Sequence, residues 1–470
     1  MNTLIKNGTI VTAADIYKGD VLIEGEKIAA IGTGLEERAE TVVEAEGKYL
    51  FPGGIDAHTH YAIPFMGTKT AGFETSPASV VGGTTTVVDF TPQAAKMSLL
   101  DSFHHHKEGE ADGKSAVDYA LHAMLMDTTN ESIFEELPAL VKAGVPTIKI
   151  FMAYKGTPFY CGDDIVFKML QKSKEQGVLV MLHCENADMV DILQKQLIAA
   201  KKLTPEYHAV SRPEAVETET VIRATLLAKT AKAPVFVVHV SCTEAMEAIR
   251  NAQIQGTAAF GETCPHYLVL SVENLTKPNF EGAKYVLSPA LRSAWHFDNM
   301  WAGLEKGWLQ TVGSDHAPFQ FETDKKMGLE NFTLIPNGAP GVENRLAILY
   351  TYGVVPGKLS LTRMVDVFAT APSKFNGLYP RKGSIIIGAD ADIVVFDPDW
   401  AGKISVATSL QGVDFNVYEG FEQKGRPDKV YLRGNLVVDK GQYVGQIGQG
   451  KFIAGEPYGA AYTGLSGVKP

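Results

Sequence analysis

His58 and His60 stand two residues apart in Asp56-Ala57-His58-Thr59-His60, at the end of an apolar run. On a strand, residues i and i+2 point the same way, so both imidazoles can reach one metal ion. Four more residues with ligand or base chemistry close or interrupt apolar runs. Lys149 lies inside Thr147-Ile148-Lys149-Ile150-Phe151, and His183 ends Val180-Met181-Leu182-His183. His239 ends Val237-Val238-His239, and Asp315 follows Val312-Gly313-Ser314. Singly, each has a bland reading: a hydrogen-bonded core histidine, a lysine paired with a carboxylate, an aspartate capping a helix. Together they put four imidazoles, one amine and one carboxylate at the ends of five strand-like runs. That combination is the chemistry of a metal centre.

Such a set converges only if the runs are neighbours in one sheet. From about Phe51 to about Pro380, apolar runs alternate with longer amphipathic stretches, which predicts βα units. The runs cover 49–58, 84–90, 117–125, 147–153, 178–184, 235–241, 257–264 and 309–318. Between them lie helical stretches such as Glu214–Ala231, where Val216, Val221, Ala224, Leu227 and Ala228 recur at helical spacing. Eight strands with intervening helices predict an α/β fold built on a (β/α)8 TIM barrel, whose chemistry sits at the C-terminal ends of its strands.

Both chain ends have a different texture. Leu4-Ile5-Lys6 leads into Asn7-Gly8, a favoured hairpin turn, and Ile10-Val11 follows; Glu24-Gly25 repeats the pattern. Near the other end, 384–387, 392–396, 429–432 and 436–438 are strand-like, with a turn at Arg433-Gly434-Asn435. The expected organisation is a barrel over 51–380 and a smaller β-sandwich domain from 1–50 plus 381–470, ending in a C-terminal arm.

Composition limits the partners. Hydrophobic residues at 45% and charged residues at 21% can build a large core, which excludes a disordered or fibrous chain. The net charge of −11 lacks the basic footprint of a nucleic-acid or anionic-membrane binder. No run of apolar residues is long enough to span a bilayer, and the N-terminus has no signal-peptide core. Cys161, Cys184, Cys242 and Cys264 show no paired spacing, so reduced thiols and a cytoplasmic setting are expected. Among the other histidines, the consecutive His104, His105 and His106 would diverge by about 100° on a helix and read as a solvated face. His122, His208 and His296 show no partner pattern, while His266 and His316 are candidates to support the ligands.

These residues, in this order, resemble the hydantoinase and dihydropyrimidinase branch of the amidohydrolase superfamily. The resemblance covers nearly the whole chain. It runs through Pro52-Gly53-Gly54-Ile55 and the His58–His60 pair, Gly82-Gly83-Thr84, and Lys149 to Lys155. Gly261-Glu262-Thr263-Cys264-Pro265, Ser288-Pro289-Ala290-Leu291-Arg292, Gly313-Ser314-Asp315, Pro336-Asn337-Gly338 and Gly388-Ala389-Asp390 continue it. The resemblance implies two divalent ions, zinc foremost with manganese or cobalt as alternatives, bridged by hydroxide and by Lys149 carboxylated with CO2. His58, His60 and Asp315 would hold one ion, and His183 with His239 the other. A carbamate also suits the charge balance better than an ammonium beside two cations. Asp315 would act as general base and acid, Tyr154 would stabilise the oxyanion, and Ser288 and Asn337 would bind the ureide edge through main-chain groups.

The implied reaction opens a neutral cyclic ureide, a hydantoin or dihydropyrimidine substituted at C5 and of D configuration, to the N-carbamoyl amino acid. Dihydroorotate-opening relatives meet the substrate carboxylate with an arginine shortly after the histidine pair. Here Tyr61-Ala62-Ile63-Pro64-Phe65-Met66 follows, which favours a neutral ring with an apolar substituent. Phe65 and Phe159 are candidate walls. The alternatives are an allantoinase-like or dihydroorotase-like enzyme, a non-enzymatic dihydropyrimidinase-related scaffold, which the six retained positions oppose, and a mononuclear deaminase, which Lys149 opposes. A homotetramer or homodimer is the assembly the resemblance implies.

Overall fold

Eight parallel strands follow one another around a barrel in chain order. They are β1 (Gly54–Thr59), β2 (Thr84–Pro92), β3 (Asp118–Met124), β4 (Thr147–Phe151), β5 (Leu179–His183), β6 (Val235–Val237), β7 (Ala259–Thr263) and β8 (Thr311–Val312). The computed structural model describes residues 2–458, so Met1 and the end of the expected C-terminal arm, 459–470, lie outside the described residues. Closure occurs just beyond β8, where the His60 N–H donates to the His316 carbonyl at 2.8 Å and the His316 N–H to that of His58 at 3.2 Å. The strands are buried on both faces, which is why they read as unbroken apolar runs rather than as alternation.

Local chemistry sets the helix limits. The Asn186 side chain accepts from the Met189 N–H and starts Ala187–Ala199, while Gly177, in the left-handed region, ends Asp163–Gln176. The helix expected over Glu214–Ala231 has those limits, with Val216, Val221, Ala224 and Ala228 buried. No helix of the described residues is long and apolar enough to cross a membrane.

The β-sandwich from both chain ends is present, and its nine strands hydrogen-bond as one mixed sheet. Strands Asn2–Val11, Ile16–Glu24 and Lys27–Gly32 lead to Tyr49–Pro52, which pairs antiparallel with Ile393–Lys403; Glu422–Leu432 and Asn435–Asp439 continue outward. The sheet curls until Lys27–Gly32 meets the segment leading into Ile393–Lys403: the Ile28 N–H donates to the Ala389 carbonyl at 3.0 Å. Ile5, Val21, Ile28, Leu50 and Val395 fill the resulting core.

Three local readings need correction. The run over 49–58 is two strands in two sheets, Tyr49–Pro52 in the satellite and β1 in the barrel. The chain changes sheets at Gly53, where an added Cβ would lie 2.1 Å from the Thr85 hydroxyl oxygen. Asn7-Gly8 is not a hairpin turn but a bulge inside Asn2–Val11; the Asn7 N–H donates to Asp20 Oδ1 at 2.8 Å, and the chain turns at 12–15 instead. Residues 384–387 form no strand, because Gly383 and Gly388 turn the chain at both ends and leave Ile387 65% exposed.

Candidate active site

The six residues at the strand ends line a single cleft that opens at the C-terminal face of the barrel. β1 supplies His58 and is followed by His60; β4 supplies Lys149 and β5 His183. His239 and Asp315 follow β6 and β8. Ligand-capable atoms of His58, His60 and Asp315 lie within 4.8 Å of one another. Asp315 Oδ1 is 3.0 Å from His60 Nε2 and 3.3 Å from His58 Nε2. The His183 and His239 rings are 4.5 Å apart, and Lys149 Nζ lies 3.5 Å from His239 Nε2.

The donor set fits divalent cations. His58 Nε2 and His239 Nδ1 are buried and make no hydrogen bond. Lys149 is 1% exposed, and among the described residues no carboxylate comes within ion-pair distance of its Nζ. An uncompensated ammonium there is costly. Burial pulls the Lys149 amine down to about 8, with Asp315 and Glu262 pulling the other way. Burial alone would raise the Asp315 carboxyl, but the His58 and His60 imidazoles hold it well below the usual carboxylate range, so it is ionised, as a metal ligand must be.

Behind the ligand-type residues lies a layer that sequence reading missed. Glu262, inside β7, accepts from His58 Nδ1 at 2.6 Å, which orients that ring. Glu185 contacts His183 Nε2 at 2.7 Å and accepts from Arg212 Nη1 and Ser288 Oγ, each also at 2.7 Å. Burial alone would raise Glu185, but the Arg212 guanidinium, with His183 and Ser288, holds it below its ordinary value. A carboxylate inside an apolar strand was the one available signal for Glu262. Arg212 has none in the sequence.

Tyr154, Ser288 and Asn337 meet on one wall of the same cleft. The Tyr154 hydroxyl shares this wall with Ser288, whose Oγ donates to Glu185 at 2.7 Å, and with Asn337. Burial raises its pKa against the opposing pull of Arg212, so it stays a neutral donor. Phe65 and Phe159 also line the cleft, their rings 6.3 and 5.3 Å from that of Tyr154. No arginine lines it among the described residues.

The other histidines depart from expectation. His106 is buried against Asp89, with Nε2 2.8 Å from Oδ2, so the triple-histidine segment is a solvated face only at His104 and His105. His122 and His208 have buried partners in Thr147 and the Leu287 carbonyl, and His296 accepts from the Thr243 N–H. His266 and His316 are buried near Asp315, each with an Nε2 that makes no hydrogen bond.

Comparison with known proteins agrees with this arrangement. The profile of the amidohydrolase family matches residues 49–437. The chain is 44% identical to a D-hydantoinase of Geobacillus stearothermophilus over the full length of both, and 44% identical to one of Ralstonia pickettii over 97% of this chain and all of that one. The crystal structure of a dihydropyrimidinase from Brevibacillus agri NCHU1002 superposes with a TM-score of 0.95 at 45% identity, over 98% of this chain and all of the other. A barrel of eight strands, ligand-type residues at their C-terminal ends and full-length similarity at this level have one joint meaning: the chain belongs to the amidohydrolase family, as a cyclic amidohydrolase of its hydantoinase and dihydropyrimidinase branch.

Proposed function

We propose that the protein hydrolyses the ring amide of a neutral cyclic ureide, a 5-substituted D-hydantoin or a dihydropyrimidine, to the N-carbamoyl amino acid. The observation that carries this is the single cleft in which six ligand-type residues face an apolar wall without an arginine. A substrate carboxylate would find no cationic partner there, since Arg212 is already committed to Glu185. The D configuration and the two ring classes rest on the names of the relatives, D-hydantoinase and dihydropyrimidinase.

His58, His60 and Asp315 would hold one divalent ion and His183 with His239 a second, with Lys149, carboxylated by CO2, between them. Such ions, zinc foremost, would lend Lewis acidity to water and to the amide carbonyl. The buried Lys149 amine, with no carboxylate within ion-pair distance among the described residues, supports the carbamate. Asp315 takes the proton from water as oxygen adds to the carbonyl carbon, then delivers it to the ring nitrogen as the C–N bond breaks. Tyr154 donates to the oxyanion between those events. The main-chain carbonyls of Ser288 and Asn337 accept from the ureide N–H groups, and Phe65 and Phe159 flank the C5 substituent.

On this reading the barrel, assigned 51–380, carries the site, and among the described residues the satellite, assigned 1–50 plus 381–470, lines none of it. The apolar side chains exposed along neighbouring helices, Ile222, Leu226 and Ile254, support a homotetramer or homodimer. Four unpaired, buried cysteines accord with a cytoplasmic setting. The test is a set of initial rates on D- and L-5-substituted hydantoins, dihydrouracil, allantoin and dihydroorotate, with metal measured on the same sample. Turnover of D-hydantoins or dihydrouracil with about two ions per chain is the expected result. Preference for dihydroorotate or allantoin would overturn the substrate class, and fewer than about one ion would overturn the two-metal centre.

A further inference from the structure

Lys325 is fully buried far from any surface role, and its ammonium has no carboxylate within ion-pair distance among the described residues. Its three hydrogens meet three main-chain carbonyls instead: Val286 at 2.9 Å, Pro336 at 2.6 Å and Gly338 at 2.5 Å. The carbonyls around these are taken as well. Gly338 N–H donates to Val286, His208 Nε2 to Leu287 at 2.8 Å, and the Tyr267 hydroxyl to Pro289 at 2.6 Å. The pattern leaves two exceptions. Among the described residues, no donor reaches the carbonyl of Ser288 or of Asn337, the two residues between the clamped positions, and both line the cleft.

We infer that Lys325 is a positioning residue for substrate recognition: it ties down the carbonyls on either side of Asn337 and that of Val286, two residues before Ser288, while His208 and Tyr267 hold those flanking Ser288, so the Ser288 and Asn337 carbonyls are left as acceptors for the N–H groups of the ring. This rests on the assignment of Ser288 and Asn337 to the ureide edge proposed above. The clamp works by subtraction. A peptide carbonyl facing inward needs a donor, and once its neighbours are satisfied internally the remaining two lack one until substrate arrives. An ammonium suits the task better than a carboxamide because it alone supplies three donors from one atom. Since Lys325 touches none of the ligand-type residues, its effect falls on binding rather than on bond breaking.

The test compares hydantoin with 1-methylhydantoin in the metal-loaded wild-type enzyme and in K325M. Methylation removes one N–H, so the wild type is expected to bind the methylated ring less well, with KM higher by roughly tenfold. K325M is expected to raise KM for hydantoin by a similar factor and to shrink the methyl discrimination towards one. Its metal content should be unchanged and its kcat within about threefold of wild type. A wild type that discriminates beside a folded variant that discriminates equally removes the inference alone. A wild type that fails to discriminate removes the reading of Ser288 and Asn337, and the inference with it. If K325M does not fold, K325Q, which offers two donors to the same carbonyls, is measured by the same criteria. Failure of both to fold marks the ammonium as a structural clasp and overturns the positioning role.

Discussion

Tyr154, His239 and Asp315 share a backbone property unrelated to their side chains: φ angles of 64°, 42° and 50°, in the left-handed region that L-residues seldom occupy. Such conformations cost of order 1–3 kcal/mol each and persist where surrounding structure holds them. Three of them around one cleft mean that the aim of these side chains is set by the main chain before substrate enters. Tyr154→Phe keeps that aim and removes only the hydroxyl, so kcat should fall by roughly a hundredfold with KM much less affected. Steady-state kinetics on the preferred hydantoin check this, and an unchanged kcat would end the oxyanion role. The six ligand-type residues were legible in the sequence because each interrupts or closes an apolar run. Glu262 was not, because its partner His58 lies 204 residues away along the chain. His106 was misread for a related reason. Three consecutive helical residues do diverge, and that divergence is what turns one of them inward to Asp89.

Among the elements, the segments between strands do as much positioning as the strands. Gly82, in the Gly82-Gly83 pair ahead of β2, lets residue 343 approach so closely that an added Cβ would lie 2.5 Å from the Glu343 carbonyl oxygen. The Glu343 side chain then reaches out to the 405–412 segment, accepting from Ser409 Oγ at 2.6 Å and the Leu410 N–H at 2.9 Å. Burial pushes this carboxyl up to about 7, despite those two donors. A folded-state pKa above the unfolded 4.5 means that the native protein holds a proton the unfolded chain releases. Stability is therefore lost as pH rises from about 4.5, and the loss is complete above about 7. Thermal melts of E343Q, which resembles the protonated form, should match wild type near pH 4.5 and exceed it at pH 8. Parallel curves across that range would show that Glu343 does not titrate this way. Element type was readable from period and run length. Sheet membership was not: 49–58 is one apolar run by composition, and only Gly53, crowded by Thr85, marks where one sheet hands the chain to another.

At the scale of the whole molecule, the barrel and the satellite are joined by buried charge as well as apolar contact. Lys382 Nζ lies 2.5 Å from Asp118 at the start of β3, 3.0 Å from Asp390 and 2.8 Å from Asp392, and Arg433 bonds to Asp118 as well. Removing the lysine charge leaves carboxylates buried without their cation, so K382M should destabilise the fold by about 3–5 kcal/mol. Chemical denaturation would measure it, and a loss within about 0.5 kcal/mol would show that the cluster is dispensable. The same seam carries a consequence in time. Tyr49–Pro52 pairs with Ile393–Phe396, so a strand made early in synthesis waits for a partner made roughly 340 residues later. At ordinary ribosomal rates that is a delay of some 17–70 s, during which an apolar strand edge stands open. Co-translational aggregation and chaperone demand should therefore fall on the first fifty residues of the nascent chain, well away from the chemistry.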